Sequence, residues 1–291
     1  MRWLALFFWC GLAFAQSFPS KPLKLVTPFP PGGSADVIAR LTAQKLAENM
    51  GQPVVVDNRG GAGGLVGTEY AAKQPPDGYT LVLITGAYPV QAAMLKQMPF
   101  DPLADVAMVS LLTSYPFVIS VRADSPFRTL GDLIAAAKAN PGKLNYPSSG
   151  IGTVHHLSGE LLNAMAGIDI THVPFRGGAS PLTEVLGGRV DLLLEAMTLS
   201  IGQIQSGKLR ALAVTSRERW KALPNVPTVA ETVPGYEVNS FIGLGASGGT
   251  PRDLVERLNT EVRKALASPE TRQRFVDLGG EPGATSPEEM K

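Results

Sequence analysis

Short apolar runs alternate with helix-period segments along almost the whole chain, and this alternation restricts the fold more than any motif does. The runs are "LKLVTPF" (23–29), "PVVVDN" (53–58), "TLVLIT" (80–85), "FVISV" (117–121), "THVPF" (171–175), "DLLLE" (191–195), "RALAVTS" (210–216) and "FIGLGA" (241–246). Between them lie helical patterns at 35–50, 130–139, 153–165, 179–186 and 252–266. In the first, Ala39, Ala43, Leu46, Ala47 and Met50 share one face; in the last, Leu254, Leu258, Val262 and Ala265 do. Strands that are apolar on both faces must be covered on both sides, so the expectation is an α/β fold with parallel sheets between helices.

Two such series are expected, one before about residue 120 and one from there to about residue 240. "PFVISVRADSPFRTLGDLI" reads as a strand crossing into the second series and "EVNSFIGLGA" as one returning. The implied division is 16–120 with 241–291 as one domain and 121–240 as the other. A ligand cleft would then lie between two sheets, at the carboxyl ends of strands and near helix N-termini.

The N-terminus "MRWLALFFWCGLAFAQS" has one positive charge, an apolar run too short to span a bilayer, and "AFA" before Gln16. It reads as a signal peptide (1–15) cleaved after Ala15, in preference to a buried helix; a lipid anchor at Cys10 is set aside because bulky Trp9 precedes it. Removing it takes away Arg2 and Cys10, the one cysteine, and leaves 25 basic against 25 acidic residues from an original 26 and 25. A neutral, cysteine-free, extracytoplasmic chain has no basic field for nucleic acid, no charge bias for a membrane surface and no thiol chemistry.

Residues 28–40, "PFPPGGSADVIAR", join the first strand to the first helix. Backbone N–H groups at Gly32, Gly33 and Ser34, backed by the helix pole, would stabilise an anion there. There is no Lys after the glycines and no GxGxxG spacing, so neither a triphosphate nor a dinucleotide fits. Asp36, in the first helical turn, either satisfies free N–H groups, or meets the ligand through water or a positive group, or pairs with Arg40 at i,i+4. A second loop of the same kind, "PSSGIGTVHH" (147–156), puts Thr153 at an N-cap. Two helix poles facing one cleft point to a ligand with an anionic group at each end.

Other candidates lie at strand exits. Thr85 and Tyr88 follow the third strand, and Arg176 follows "HVPF" and could pair with an anion or lie on the surface. Glu195 ends "DLLLE" as an amine partner or a helix-capping acid. "GGAGG" (60–64) reads as a flexible turn. His155 and His156 are adjacent, not i,i+4, and His172 is the one other histidine, so neither a metal site nor a cofactor is expected. One of the adjacent pair would hydrogen-bond near the cleft, or both serve structure. Ser148 or Ser149 as a hydrolase nucleophile matches GxSxG poorly. At the other end "TSPEEMK" opens with a Ser N-cap, Pro and two acids, a good helix start, but the sequence stops at Lys291, so the terminal helix it announces is expected to be missing.

Taken in order, "PFPPGGSADVIAR", "VVVDNRGGAGGLVGTEYAAKQPPDGYTL", "GIGTVHHLSGELL", "HVPFRGGASPLTEVLGGRVD", "GKLRALAVTSRERWKALPNVPTVAE" and "GLGASGGTPRDLVERLNTEV" resemble the Bug (TctC-type) receptors of tripartite tricarboxylate transporters, from about residue 22 to 287. The resemblance implies a two-domain periplasmic binding protein fold of type II character, with the cleft between two mixed sheets. It implies a non-enzymatic, monomeric receptor that captures a small organic carboxylate and hands it to membrane permease subunits. The carboxylate would be a di- or tricarboxylate, an acidic amino acid or an aromatic acid. One carboxylate would be held by backbone groups and waters at Phe29, Pro31, Gly32, Gly33, Ser34 and Asp36. The far end would meet Thr85, Tyr88, Ser148, Gly152, Thr153 and His156. A secreted hydrolase of a small carboxylate or amide, or a sensor-only binding module, is the alternative.

The sequence departs from that family in several places. Gly60 stands where Pro is common, which reads as a looser loop. Glu195 stands where Asp is frequent, and Phe241 where Trp is usual; both departures are expected where selectivity is set. "ASGGTP" (246–251) replaces a more usual "APAGTP".

Overall fold

The computed structural model describes residues 18–291; the signal-peptide reading and its cleavage site lie outside the described residues. The first lobe opens with β1 (Leu23–Thr27), α1 (Ser34–Met50), β2 (Val54–Asn58), α2 (Leu65–Ala72), β3 (Thr80–Thr85) and α3 (Ala87–Met94). The long β4 (Val106–Arg122) leads into α4 (Leu130–Ala139), β5 (Asn145–Ser148), α5 (Val154–Ala166), β6 (Thr171–Pro174) and α6 (Ser180–Leu186). Then come β7 (Leu192–Ala196), α7 (Met197–Gln205), β8 (Leu209–Val214) and the returning β9 (Asn239–Ser247). The chain closes with α8 (Arg252–Ala267), α9 (Pro269–Asp277), β10 (Glu281–Pro282) and α10 (Pro287–Met290).

The strands are mixed rather than wholly parallel. β2, β1 and β3 run parallel, β9 lies antiparallel beside β3, and β4 antiparallel beside β9. β10 pairs antiparallel with β4, and β5 with β6 form a separate parallel pair. The parallel expectation holds for β1–β3, where helices make the crossovers. It fails at β4 and β9, the long strands that run between the lobes.

β4 is the hinge of the architecture. From Val106 to Pro116 it pairs with β9; from Phe117 it pairs with β7, and from Val118 with β8. Pro116 lacks an N–H and would interrupt a ladder. It sits at the last β9 pair, opposite Asn239, where one set of partners gives way to the next. The Phe117 N–H then turns to the Thr215 hydroxyl at 2.8 Å. Register shifts between Met108 and Ser110 and between Leu111 and Thr113 break the alternation of the first half, so only the second half of β4 reads as a strand in the sequence.

The two-sided apolar runs bury both faces. Leu25, Leu81 and Leu83 pack with Ile38, Ala39, Ala43 and Leu46 of α1 and Leu258 and Val262 of α8. Val26, Val82 and Ile84, on the opposite face, pack with Ala71, Tyr88 and Phe100. Each such side chain removed from water contributes about 1.5–3 kcal/mol, so the strand exits carrying the loops are held rigidly. α1 stops at Gly51, whose φ of 68° closes the helix through an N–H bond to Ala47 O at 3.0 Å. At the C-terminal end, Ser286 and Glu289 form the capping box the sequence announces, and α10 extends over the four residues to Met290.

Candidate functional site

The loop Pro28–Ser34 turns sharply because Gly32 adopts φ 81° and Gly33 leads extended into α1. Gly33 has no side chain to cap the helix, and the first bond of the ladder is Val37 N–H to Gly33 O at 3.1 Å. The N–H groups of Ser34, Ala35 and Asp36 therefore precede the ladder and remain free for an acceptor. Asp36 does not compete for the anion. Its carboxylate, almost fully buried, accepts from Gly32 N–H at 3.1 Å, Asn58 Nδ2 at 3.0 Å, and Arg40 Nε and Nη2 at 3.0 Å each. Burial raises this carboxyl, but the hydrogen bonds from Arg40, Gly32 and Asn58 outweigh it and hold it below the ordinary carboxylate range. Of the three readings of Asp36, the ion pair with Arg40 and the bond to the loop's own N–H are what the structure contains.

These free N–H groups open into a cavity of about 50 Å3 between the lobes. Phe29, Gly33, Ser34, Ala35, Thr85, Gly86 and Ala87 line it from the first lobe. Ser149, Thr153, Val154, His155, Gly178, Glu195 and Leu199 line it from the second, and Tyr115, Phe117, Ser240 and Ile242 come from β4 and β9. No lysine or arginine is on that wall among the described residues. The Tyr115 hydroxyl is pushed up by complete burial, against its hydrogen bond to Ser240.

The lobes meet tightly at this point. A Cβ on Gly33 would lie 3.0 Å from Gly178 Cα, and one on Gly178 would lie 2.8 Å from Pro31 O. Ser34 Oγ reaches across to Glu195 Oε1 at 3.5 Å. Glu195, buried at the end of β7, also accepts from His155 Nε2 and from the backbone N–H of Ala196, both at 2.8 Å. The His155 ring is set by Phe117, whose centroid is 4.7 Å away.

Of the residues singled out in the sequence, Phe29, Gly33, Ser34, Thr85, Thr153 and Glu195 come together on the cavity wall. Pro31, Gly32 and Asp36 shape the loop behind it. Tyr88 turns away, its hydroxyl bonded to Pro102 O and its acidity suppressed by burial. Gly152 and Arg176 line a separate, wider cavity with Met94, Leu95 and Ile151. His156 is not on the wall either: its Nδ1 accepts from Gly152 N–H at 3.3 Å and its ring packs on His172, centroids 4.2 Å apart. His155 takes the place expected of His156, since adjacent residues on a helix point about 100° apart.

Ser148 is buried and committed. Its hydroxyl is 2.6 Å from His172 Nε2 and accepts from Gly150 N–H at 3.0 Å. Burial, with His156 beside it, keeps His172 below the ordinary histidine value. The pair is absent from the cavity wall. Gly60 is not a loose point: a Cβ there would fall 2.6 Å from Pro30 Cδ. Phe241 packs on the far side of β9 with Val26, Ile84 and Met290, while its neighbours Ser240 and Ile242 face the cavity. Tyr115, Leu199 and Ser240 were not legible as site residues; the period-2 alternation of β9 would have pointed to Ser240 once the facing side was known.

Two α/β lobes joined through long shared strands, with unclaimed helix N–H groups opening into the cavity between them, define the class of two-lobed solute-binding proteins. The model of the TctC family, the tripartite tricarboxylate transporter family receptor, matches residues 38–291, and the chain belongs to that family. A relative from Pseudomonas sp. (strain P51), the UPF0065 protein in the tcbD-tcbE intergenic region, is 42% identical over 275 residues, covering 94% of this chain and 82% of its own length. Among solved structures, R. palustris Rpa4515 with adipate superposes with a TM-score of 0.90 at 39% identity, covering 94% of this chain and 92% of that one. MatC (Rpa3494) from Rhodopseudomonas palustris with bound malate does so at 0.86 and 32%, covering 94% and 93%. Among the described residues no helix is long and apolar enough to cross a membrane, and no group of three or more His, Cys, Asp or Glu is placed to hold a metal ion.

Proposed function

We propose that this receptor captures a small organic carboxylate in the periplasm and delivers it unchanged to the membrane subunits of a tripartite tricarboxylate transporter. The observation that carries this reading is the set of free N–H groups at the start of α1, opening into an inter-lobe cavity without a basic side chain. Such a pole favours a carboxylate by about 0.3–1 kcal/mol beyond its hydrogen bonds. Family neighbours that carry adipate and malate support the same class.

The ligand contacts in this reading are Phe29, Gly33, Ser34, Thr85 and Glu195, joined by His155, while Thr153, its hydroxyl committed to Gly150 and His156, braces the wall and Asp36 holds the loop. The functional lobes are 16–120 with 241–291, and 121–240; the protein acts as a monomer after cleavage behind Ala15. Nothing is transformed: Ser148 is buried, its hydroxyl held by His172 and Gly150, and neither it nor His172 lines the cavity, which speaks for binding rather than hydrolysis. Closure shifts only by the ligand's differential affinity for the closed state.

The test is a thermal-shift and calorimetric screen of the secreted protein against mono-, di- and tricarboxylates, amino acids and aromatic acids. Saturable stabilisation by a carboxylate that is recovered intact is expected. Turnover of the ligand, or no response to any carboxylate, would overturn the proposal.

A further inference from the structure

The cavity already contains a carboxylate of its own. Glu195 is the one acidic side chain on the wall, and no arginine or lysine faces it there. Its side chain is 4% exposed. His155 Nε2, Ala196 N–H and, more distantly, Ser34 Oγ all converge on Oε1. Among the described residues no hydrogen bond is directed to Oε2, and this oxygen is not one of the fully buried atoms left without a partner, so it keeps accessible surface and is free to take a donor.

Two helix poles at this site are thus in opposite states. α1, of 17 residues, begins at Gly33 without a side-chain cap. At α7, of nine residues and likewise without a side-chain cap bond, the residue before the N-cap is Glu195, whose carboxylate takes the Ala196 N–H and stands at the pole itself. A second ligand carboxylate brought to that end would face Oε2, a like charge in a site largely shielded from water, where repulsion is strong. A ligand group that donates hydrogen bonds or carries positive charge would supply the missing partner.

The separation of the two ends is short. Ser34, whose N–H belongs to the open pole, has its hydroxyl 3.5 Å from Glu195 Oε1. A group on the α1 pole and a group on Glu195 are therefore neighbours, not opposite ends of a long chain.

We propose that the ligand is an amino carboxylate whose ammonium lies one or two carbons from its carboxylate. The carboxylate takes the N–H groups of α1, the ammonium takes Glu195 Oε2, and the rest of the molecule fills the cavity toward Tyr115 and Leu199. This rests on the carboxylate-receptor reading and narrows it. It also separates this chain from its adipate- and malate-bearing neighbours, whose ligands have no ammonium.

The test uses pairs that differ only in the amino group: L-aspartate and succinate, L-glutamate and glutarate, L-leucine and 4-methylpentanoate, L-phenylalanine and 3-phenylpropanoate. Calorimetry on the secreted wild-type protein is expected to give, for the best-bound skeleton, a Kd at least about tenfold lower for the amino member, the scale of one buried charged hydrogen bond. Glu195→Gln is expected to abolish that preference, with circular dichroism reporting whether the variant is folded. Tighter or equal binding of the des-amino member, or a preference that persists in folded Glu195→Gln, overturns the proposal. The wild-type comparison decides the matter even if the variant does not fold. Should only carboxylates without an amino group bind, this inference fails and the carboxylate-receptor reading stands; should no carboxylate bind, both fail.

Discussion

The loops that open α1 and α5 look alike in sequence, "PPGGSAD" and "SSGIGTVHH", and behave differently in the fold. At α1 the cap position is a glycine, and the one acid of the first turn is turned back to Gly32, Asn58 and Arg40. At α5 the loop is spent on itself. The Thr153 hydroxyl donates to Gly150 O at 2.6 Å and accepts from His156 N–H at 3.5 Å, while Ser148 binds His172 and Gly150. The first loop presents donors and the second presents a fixed wall. A glycine-rich turn before a helix becomes an anion site only when the chain's own side chains leave its N–H groups unclaimed.

The largest effect should come from obstructing the contact between the α1 loop and the second lobe. Gly33→Val places side-chain atoms where Gly178 already approaches to 3.0 Å from a Cβ position. Overpacking of this kind costs about 1–3 kcal/mol, so ligand affinity should fall roughly 10- to 100-fold while circular dichroism remains that of the folded protein. Unchanged affinity would mean that binding does not require this approach.

Asp36→Ala should come next. It strands Gly32 N–H, Asn58 and Arg40, and a loss of about 3 kcal/mol in unfolding free energy is expected, with weaker ligand binding, from charge-assisted bonds of this kind. The pH dependence follows from the lowered carboxyl. Its stabilisation is complete above the unfolded-state value near the ordinary 3.8 and is lost as pH falls through the folded value. Denaturant titrations below pH 4 should therefore show a shallower acid decline in the variant than in the wild type. A parallel decline would remove Asp36 from the account.

On the α5 side the same measurements should report structure without function. Ser148→Ala leaves the half-buried His172 ring nitrogen and Gly150 N–H without this partner, for a loss of about 1–2 kcal/mol, with affinity unchanged. A drop in affinity comparable to that of Asp36→Ala would erase the contrast between the loops. The smallest effect is expected from Thr153→Ala, about 1 kcal/mol of stability for a lost N-cap, visible as a lower Tm.

Local patterns carried much of the fold. The helices at 35–50, 130–139 and 153–165 read correctly because each has an apolar stripe and a glycine or capping residue at its ends. β4 read only in part because register shifts at Met108/Ser110 and Leu111/Thr113 break the alternation of its first half, and Pro116 is tolerated because of partner strands more than 70 residues away, β7 through β9. α3 and α7, both short, lack strong period signals and take their order from packing on the sheet. At the site, Ser34 and Glu195 were legible one at a time but not as neighbours.

The sequence by itself determined that alternating two-sided apolar runs and helices would form an α/β protein. It also determined that the loop before α1 had no lysine for phosphate, because those properties reside in residue type and short spacing. Tertiary structure decided which histidine lines the cavity, that Ser148 is buried beside His172, and that Phe241 points away from the cavity. It also brought Glu195 from β7 within 3.5 Å of Ser34 at the start of α1, across 161 residues of chain. Side-chain facing and long-range approach depend on how strands register and lobes close, and no local pattern encodes either.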